Sequence, residues 1–218
     1  MRRKSRSYSV SEEKTNDFVL FFARLFVTLQ AMNENVIIAD ANFVDKVAFD
    51  LIVNFERMLE RRIPQADMAR WAECIALDGG LREGEHQTVV ILTHDKEQTE
   101  MKNFAPGKFA EELEGMAFKG NLGEFCFSTP NGEGFVDKDE LFMDTLQTVL
   151  QQKDVKRVMV IPDEAHYDEV RSILRKMDDD EKRITVFAMQ PMAGGNFRQE
   201  ILGYSLMAAL GIKGEEIK

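Results

Sequence analysis

Polar and acidic side chains follow three of the short apolar runs in this 218-residue chain. In a parallel sheet the carboxyl ends of the strands meet at one edge, and ligands bind there. Aspartates on neighbouring strands repel each other, and this repulsion raises a pKa or recruits a cation. Carboxylate oxygens favour Mg²⁺ or Mn²⁺ over zinc. The candidate site residues at this edge are Asp40 and Asn42 after the first run (Val36–Ala39), His94 and Asp95 after the second (Thr88–Leu92), and Asp163 after the fourth (Val155–Ile161).

Each of these residues also has a purely structural interpretation. Asn42 is suited to cap a helix that begins one residue later, and Asp163 is suited to cap the helix that follows it. His94 beside Asp95 is either a proton-transfer pair or a hydrogen-bonded strand end. If the first strand lies centrally beside the fourth, Asp40 and Asp163 come close together, and a shared site is then a serious alternative to two separate caps.

A third acidic group is expected from the helix before the fourth strand. Asp137 and Glu140 have capping-box spacing, which indicates a structural role. Asp144 lies within an apolar helical pattern, so it faces either solvent or the site. We therefore take Asp144 as the third candidate carboxylate.

A small glycine segment lies between the fifth apolar run and the last helical pattern. Gly194, Gly195 and Asn196 form this segment. Backbone amides at the start of a helix bind phosphate, so the segment is a candidate substrate contact. Its spacing matches no complete nucleotide-binding loop, and this favours an ordinary turn.

Five short runs rich in β-branched or aromatic residues alternate with helical patterns. Most runs are continuous, which is typical of parallel strands covered on both faces. The alternation predicts a three-layer α/β/α sandwich around a five-stranded, mainly parallel sheet. The predicted strands are Val36–Ala39, Thr88–Leu92, Glu124–Phe127, Val155–Ile161 and Ile184–Ala188, and the predicted helices are 44–59, Ala66–Asp78, Pro106–Phe118, Asp139–Gln151, Tyr167–Met177 and Asn196–Leu210.

Composition limits the function classes. The chain has 28 basic and 38 acidic residues, a net charge of −10, and 44% hydrophobic residues. Such a body repels phosphate backbones unless a local patch or bound cations reverse the field. Two cysteines and three histidines exclude a disulfide framework and a four-cysteine zinc site. We predict a basic, polar, disordered tail over residues 1–15 and one domain over 16–218.

An apolar helix is predicted over residues 17–32. Its core, Phe18–Met32, is shorter than the roughly 20 residues of a membrane span and contains Arg24. Acidic residues before it argue against a secretory signal, so we expect a cytoplasmic protein without a membrane segment. A helix that is apolar on most sides must be covered, either by the core or by a second copy in a homo-oligomer.

The order of motifs resembles the PIN-like nuclease superfamily, and its NYN branch most. The first strand ends in Asp40-Ala-Asn42, an acidic helix carries Asp144, and a later strand leads to Asp163. The resemblance implies a Rossmann-like sheet in the order 3-2-1-4-5 with carboxylates that hold Mg²⁺ or Mn²⁺ and cleave RNA. In the implied roles Asp40, Asp144 and Asp163 are metal ligands and catalytic groups, and Asn42 positions the substrate.

Three functions follow from these expectations. The first is a metal-dependent nuclease that hydrolyses phosphodiester bonds, with water activated by the cation. The second is a non-catalytic protein-interaction or oligomerisation module on the same fold, with contacts through Phe18–Met32. The third is a small-molecule phosphohydrolase or nucleotide-binding protein that uses the same crevice. The sequence leaves open whether the protein is an enzyme.

Overall fold

The structure is a computed structural model that describes residues 34–131, 137–177 and 182–217. The predicted tail over 1–15, the apolar helix over 17–32 and the oligomer contact through Phe18–Met32 lie outside the described residues.

Nine strands are present in the described part of the chain. They are β1 Asn35–Asp40, β2 Ala66–Asp67, β3 His86–Thr93, β4 Phe104–Ala105, β5 Ala117–Gly120, β6 Gly123–Ser128, β7 Arg157–Ile161, β8 Arg183–Ala188 and β9 Arg198–Ile201. Seven of them form one sheet in the order β5-β6-β3-β1-β7-β8-β9. Only the β5–β6 pair is antiparallel in this sheet. Strands β2 and β4 form a separate parallel pair.

Helices cover both faces of the sheet and give the predicted α/β/α layers. The bounds are α1 Ala41–Leu59, α2 Met68–Asp78, α3 Lys138–Gln151, α4 Tyr167–Arg175 and α5 Leu202–Ala209, with a π-helical turn at Phe109–Leu113 and 3₁₀ turns at Glu164–His166 and Gly214–Glu216. The helices α1, α2 and α5 pack with the β1 residues Ile37 and Ala39 on one face. The helices α3 and α4 pack with Val36 and Ile38 on the other face.

The central strand shows why continuous apolar runs predicted this sheet. Every residue of β1 is buried, and its side chains alternate between the two cores. All five predicted runs form strands, so the mainly parallel α/β architecture is confirmed. No helix in the described ranges is long and apolar enough to cross a membrane.

Two edge strands were not predicted, and the sheet therefore has seven strands rather than five. The helix expected over Pro106–Phe118 is wrong, because only Phe109–Leu113 form a helical turn and the chain then enters β5. The buried Phe109 and Leu113 are four residues apart, which mimics a longer amphipathic helix. Strand β5 is a short antiparallel edge beside β6, with partly exposed side chains and hence no strong apolar signal.

The second unpredicted strand corrects the start of the last helix. The helix predicted over Asn196–Leu210 begins only at Leu202, because Arg198–Ile201 pair with β8 as β9. This segment is polar and largely exposed, so its sequence lacks the apolar run that marks the inner strands.

Candidate functional site

A shallow acidic cleft lies at the carboxyl ends of β1 and β7, which are parallel neighbours. Asp40 is the last residue of β1, and Asp163 follows β7 by two residues. These two carboxylates, which we expected to meet, line the same cleft. The complete lining of the acidic cleft is Asp40, Asp139, Phe142, Met143, Pro162, Asp163 and His166.

Asp40 is buried at the end of the central strand, with only 1% of its surface exposed. One carboxylate oxygen, Oδ1, accepts a hydrogen bond from the backbone N–H of Phe43 at 2.9 Å and so caps α1. The alternative in which Asn42 caps this helix is wrong, because the helix begins at Ala41 and Asp40 is its cap. Burial raises the pKa of Asp40, and the nearby charge of Asp163 adds to the increase while Lys138 opposes it.

Lys138 supplies the positive charge of the acidic cleft. Its Nζ donates hydrogen bonds to Oδ2 of Asp40 and, at 2.7 Å, to Oδ1 of Asp139. The side chains of Lys138 and Asp40 are 11% and 2% exposed, so this ion pair is shielded from water. Burial lowers the pKa of Lys138, but the two carboxylates outweigh burial and raise it overall. The ammonium therefore remains charged at neutral pH and neutralises the end of β1.

Further contacts connect this ion pair to the loop after β7. The other carboxylate oxygen of Asp139, Oδ2, lies 2.9 Å from Nε2 of His166. The opposite ring nitrogen of His166 lies 3.9 Å from the carboxylate of Glu169. Asp163 accepts a hydrogen bond from the backbone N–H of Ala165 at 2.9 Å and so caps the 3₁₀ turn. The end of β1 is thus joined to α3 through Lys138, and the loop after β7 is joined to α3 through Asp139.

The carboxylates of the cleft are suitable ligands for a hard divalent cation, but the positions of the side chains do not fit a metal site. Three carboxylates line the cleft, and oxygen ligands suit Mg²⁺ or Mn²⁺. The ammonium of Lys138, however, lies between Asp40 and Asp139 where a cation would bind both. No group of three or more His, Cys, Asp or Glu side chains in the described ranges is arranged to hold a metal ion.

Asp144 lies on α3 but does not line the acidic cleft. Asp139, five residues earlier, faces the cleft instead, because five residues correspond to about 140° around a helix. Partial burial raises the pKa of Asp144. Its role as a metal ligand stays a prediction.

Asn42, His94 and Asp95 form a separate group at the ends of β1 and β3. Asn42 donates a hydrogen bond from Nδ2 to Oδ2 of Asp95, and its Oδ1 accepts one from the backbone N–H of Asp95 at 3.2 Å. The buried His94 ring stacks on Phe109 with centroids 3.8 Å apart. Its two nitrogens face the backbone oxygens of Asp95 and Thr129 at 2.8 and 3.2 Å. These contacts join loops together, and none of the three residues lines the acidic cleft.

The glycine segment does not precede a helix. Gly194, Gly195 and Asn196 lead into β9, so the helix amides that would bind a phosphate there are absent from this segment. The backbone oxygen of Gly194 accepts a hydrogen bond from Nε of Arg171 at 2.8 Å. The helix start on which this expectation depended was wrong, and the phosphate contact itself stays a prediction.

Lys138 and Asp139 were missed as site residues. A lysine in the first turn of a helix opposes the helix dipole, which favours acidic residues there. This unfavourable placement was the available signal that Lys138 has a carboxylate partner elsewhere. The partner, Asp40, lies 98 residues away in the sequence, so only the folded chain identifies it.

The fold and the cleft together define a mixed α/β protein with an acidic strand edge, where Lys138 pairs with two of the three carboxylates. Residues 30–217 match the family of unknown function DUF6621, and the chain belongs to this family. The comparisons matched no curated protein and no solved structure to the chain.

Proposed function

We propose that this protein is a non-catalytic binding module of PIN-like architecture, in which Lys138 replaces the metal ion of the nucleases. The observation that carries the proposal is the ammonium of Lys138 bonded to both Asp40 and Asp139. Asp40 lies at the end of β1, where the resemblance places a metal ligand, and Asp139 lies on α3, the helix on which the resemblance places Asp144. An internal lysine supplies the positive charge without a coordination sphere for water or phosphate.

The strand order supports the architectural part of the proposal. The five strands predicted from the sequence are the inner strands β6-β3-β1-β7-β8. Numbered among themselves along the chain, they follow the order 3-2-1-4-5 that the PIN-like resemblance implies. The flanking strands β5 and β9 are then additions at the two edges.

The burial of the ion pair supports the non-catalytic part. Removing a buried lysine from two carboxylates has a high free-energy cost, because both acids lose their counter-charge together. A divalent cation that displaced Lys138 would have to overcome this cost. We therefore expect Mn²⁺ and Mg²⁺ to bind the cleft weakly compared with a nuclease site.

A metal-dependent ribonuclease is the second candidate function. The convergence of Asp40 and Asp163 on one cleft, with Asp139 beside them, favours it. In this alternative the cleft binds a phosphodiester of RNA and the carboxylates hold Mg²⁺ or Mn²⁺. Asp144 remains the third ligand expected from the resemblance.

Thermal melts with and without 1 mM Mn²⁺, together with an RNA cleavage assay, distinguish the two functions. A ligand that binds the native state raises the melting temperature. We expect no specific shift for the wild-type protein and no cleavage beyond that of an Asp40→Asn variant. A Mn²⁺-dependent shift that disappears in Asp163→Asn, with RNA cleavage lost in Asp40→Asn, would contradict the proposal and establish the nuclease.

Binding through the N-terminal segment is tested separately. The oligomer contact through Phe18–Met32 stays a prediction. Light scattering of the full chain and of a chain without residues 1–33 measures the mass in solution. If the shortened chain forms a smaller oligomer than the full chain, the result supports a module that assembles with its own copies through this segment. If both chains have the same number of subunits, the result refutes it.

A further inference from the structure

A second cavity lies at the opposite, amino edge of the sheet, and its lining is basic. Its volume is about 310 Å³, near the lower end of the range for small-molecule sites. We call it the basic cavity. It is lined by Glu34, Asn35, Leu81, His86, Lys156, Arg157 and Arg183. In a chain with a net charge of −10, three cationic side chains around one cavity are an unexpected concentration.

The sheet register explains how these cations meet. Arg157 and Arg183 are direct partners on the parallel strands β7 and β8, and Asn35 is the partner of Arg157 on β1. Adjacent strands lie about 4.8 Å apart, so the two arginines start from neighbouring points. The next residues along the two strands, Val158 and Ile184, pack in the same core. Because successive side chains of a strand point to opposite faces, Arg157 and Arg183 both project from the other face of the sheet.

The charges of the basic cavity are not balanced within the described ranges. No ion pair there involves Lys156, Arg157 or Arg183. Nη1 of Arg157 donates to the backbone oxygen of Gly79 at 2.7 Å, but its Nε is buried without a hydrogen-bond partner. Glu34 is the one acidic side chain in the lining.

The wider surroundings are also positive. Burial lowers the pKa of Arg157, and the charges of Arg183, Arg198 and Arg82 lower it further. Arg198 is paired with Glu200, but Arg82 has no ion pair in the described part of the chain. A bound anion would relieve this mutual repulsion. The guanidinium groups also provide planar donors that match phosphate oxygens.

We propose that the basic cavity binds a small phosphorylated molecule with two or more negative charges. Lys156 and Arg183, both exposed at the rim, contact its phosphate oxygens, and the half-buried Arg157 forms the floor. The apolar Leu81 and the ring of His86 border the remaining space. This site is independent of the acidic cleft, because it lies at the other ends of the same strands.

Calorimetric titration with pyrophosphate tests the proposal. The protein and buffers are freed of divalent cations with a chelating resin before the titration, so that binding through a cation at the acidic cleft does not contribute, and ionic strength is held constant with chloride. We expect pyrophosphate or a nucleoside diphosphate to bind the wild-type protein. Arg183→Gln is expected to weaken binding about tenfold, the loss of one charge-assisted contact.

Arg57→Gln is the matched control, because Arg57 is exposed on α1 and has no ion pair in the described ranges. It should change the dissociation constant less than about twofold, since it removes the same charge at a distance. Absence of pyrophosphate and nucleotide binding to the wild-type protein overturns the proposal. Equal weakening by both variants also overturns it, because net charge alone would then explain binding. Binding of an RNA oligonucleotide without binding of pyrophosphate or nucleotide would overturn the small-molecule assignment.

Discussion

Removing the ammonium of Lys138 should leave a buried, unpaired carboxylate at the end of β1. Lys138→Met keeps the apolar stem and deletes only the charge, while Asp40 remains almost fully buried. Breaking a buried ion pair from one side costs about 3–5 kcal/mol. We expect about 3 kcal/mol of lost stability, because Asp40 keeps the hydrogen bond from the backbone of Phe43.

A double-mutant cycle separates this pair from general damage. Asp40→Asn leaves Lys138 with its second partner, Asp139, and should cost about 1 kcal/mol. The double variant contains neither the buried acid nor the lysine, so its loss should be smaller than the sum of the single losses by about 2 kcal/mol. The free energy of unfolding in urea at pH 7 measures all three variants.

Lys119→Met is the matched control for a surface ion pair. Lys119 pairs with Glu85 at 2.8 Å, but the two side chains are 64% and 82% exposed. Its loss should therefore stay below about 1 kcal/mol. Additive losses in the Lys138 and Asp40 cycle, or a Lys138 effect as small as that of Lys119, would refute the reasoning.

The pH dependence of Lys138→Met gives an independent check. Burial raises the pKa of Asp40, and removal of Lys138 removes the strongest opposing influence. The penalty of a buried carboxylate is present above its folded-state pKa and is lost as the pH falls through that value. The stability deficit of the variant should thus shrink as the pH is lowered from 7, and a constant deficit would contradict this explanation.

Three further predictions concern residues outside the ion pair. Asp144→Asn should raise stability at pH 7 by about 0.5 kcal/mol, because partial burial raises the pKa of Asp144, and the gain should vanish at acid pH in thermal melts. Asn42→Ala should lower the free energy of unfolding by about 1–2 kcal/mol, because it removes two hydrogen bonds to Asp95. Asn42→Asp should lower it more at pH 7, because the new carboxylate faces that of Asp95. Equal losses for the two variants would contradict this repulsion. Gly80→Ala should lower the free energy of unfolding in urea by more than about 1 kcal/mol, since its φ is +88° and an added Cβ would lie 3.0 Å from Arg157. Gly211→Ala should lower it less, because φ is also positive there but no atom lies within 4 Å of an added Cβ.

The inner sheet was predictable because burial on both faces leaves a continuous apolar run. The strand β1 is the clearest example, with all six residues buried. The edges were not predictable, since β5 and β9 bury few side chains and gain their structure from pairing with a neighbour. Turn and edge segments depend on tertiary contacts that local patterns do not contain.

The site was predictable only in part for a related reason. The positions of Asp40 and Asp163 follow from strand ends, which local patterns locate well. The contact between Lys138 and Asp40 depends on how α3 packs across the sheet, and no local sequence motif predicts that packing. The basic cavity was missed in the same way, because Arg157 and Arg183 come together only through the β7–β8 register.

A crystal structure of the protein grown with Mn²⁺ tests the central claim most directly. Anomalous scattering locates manganese without reference to the rest of the density. The proposed function predicts no manganese peak in the acidic cleft and the Lys138 ammonium between Asp40 and Asp139. A manganese peak bonded to Asp40 and Asp163, with Lys138 turned away, would contradict it.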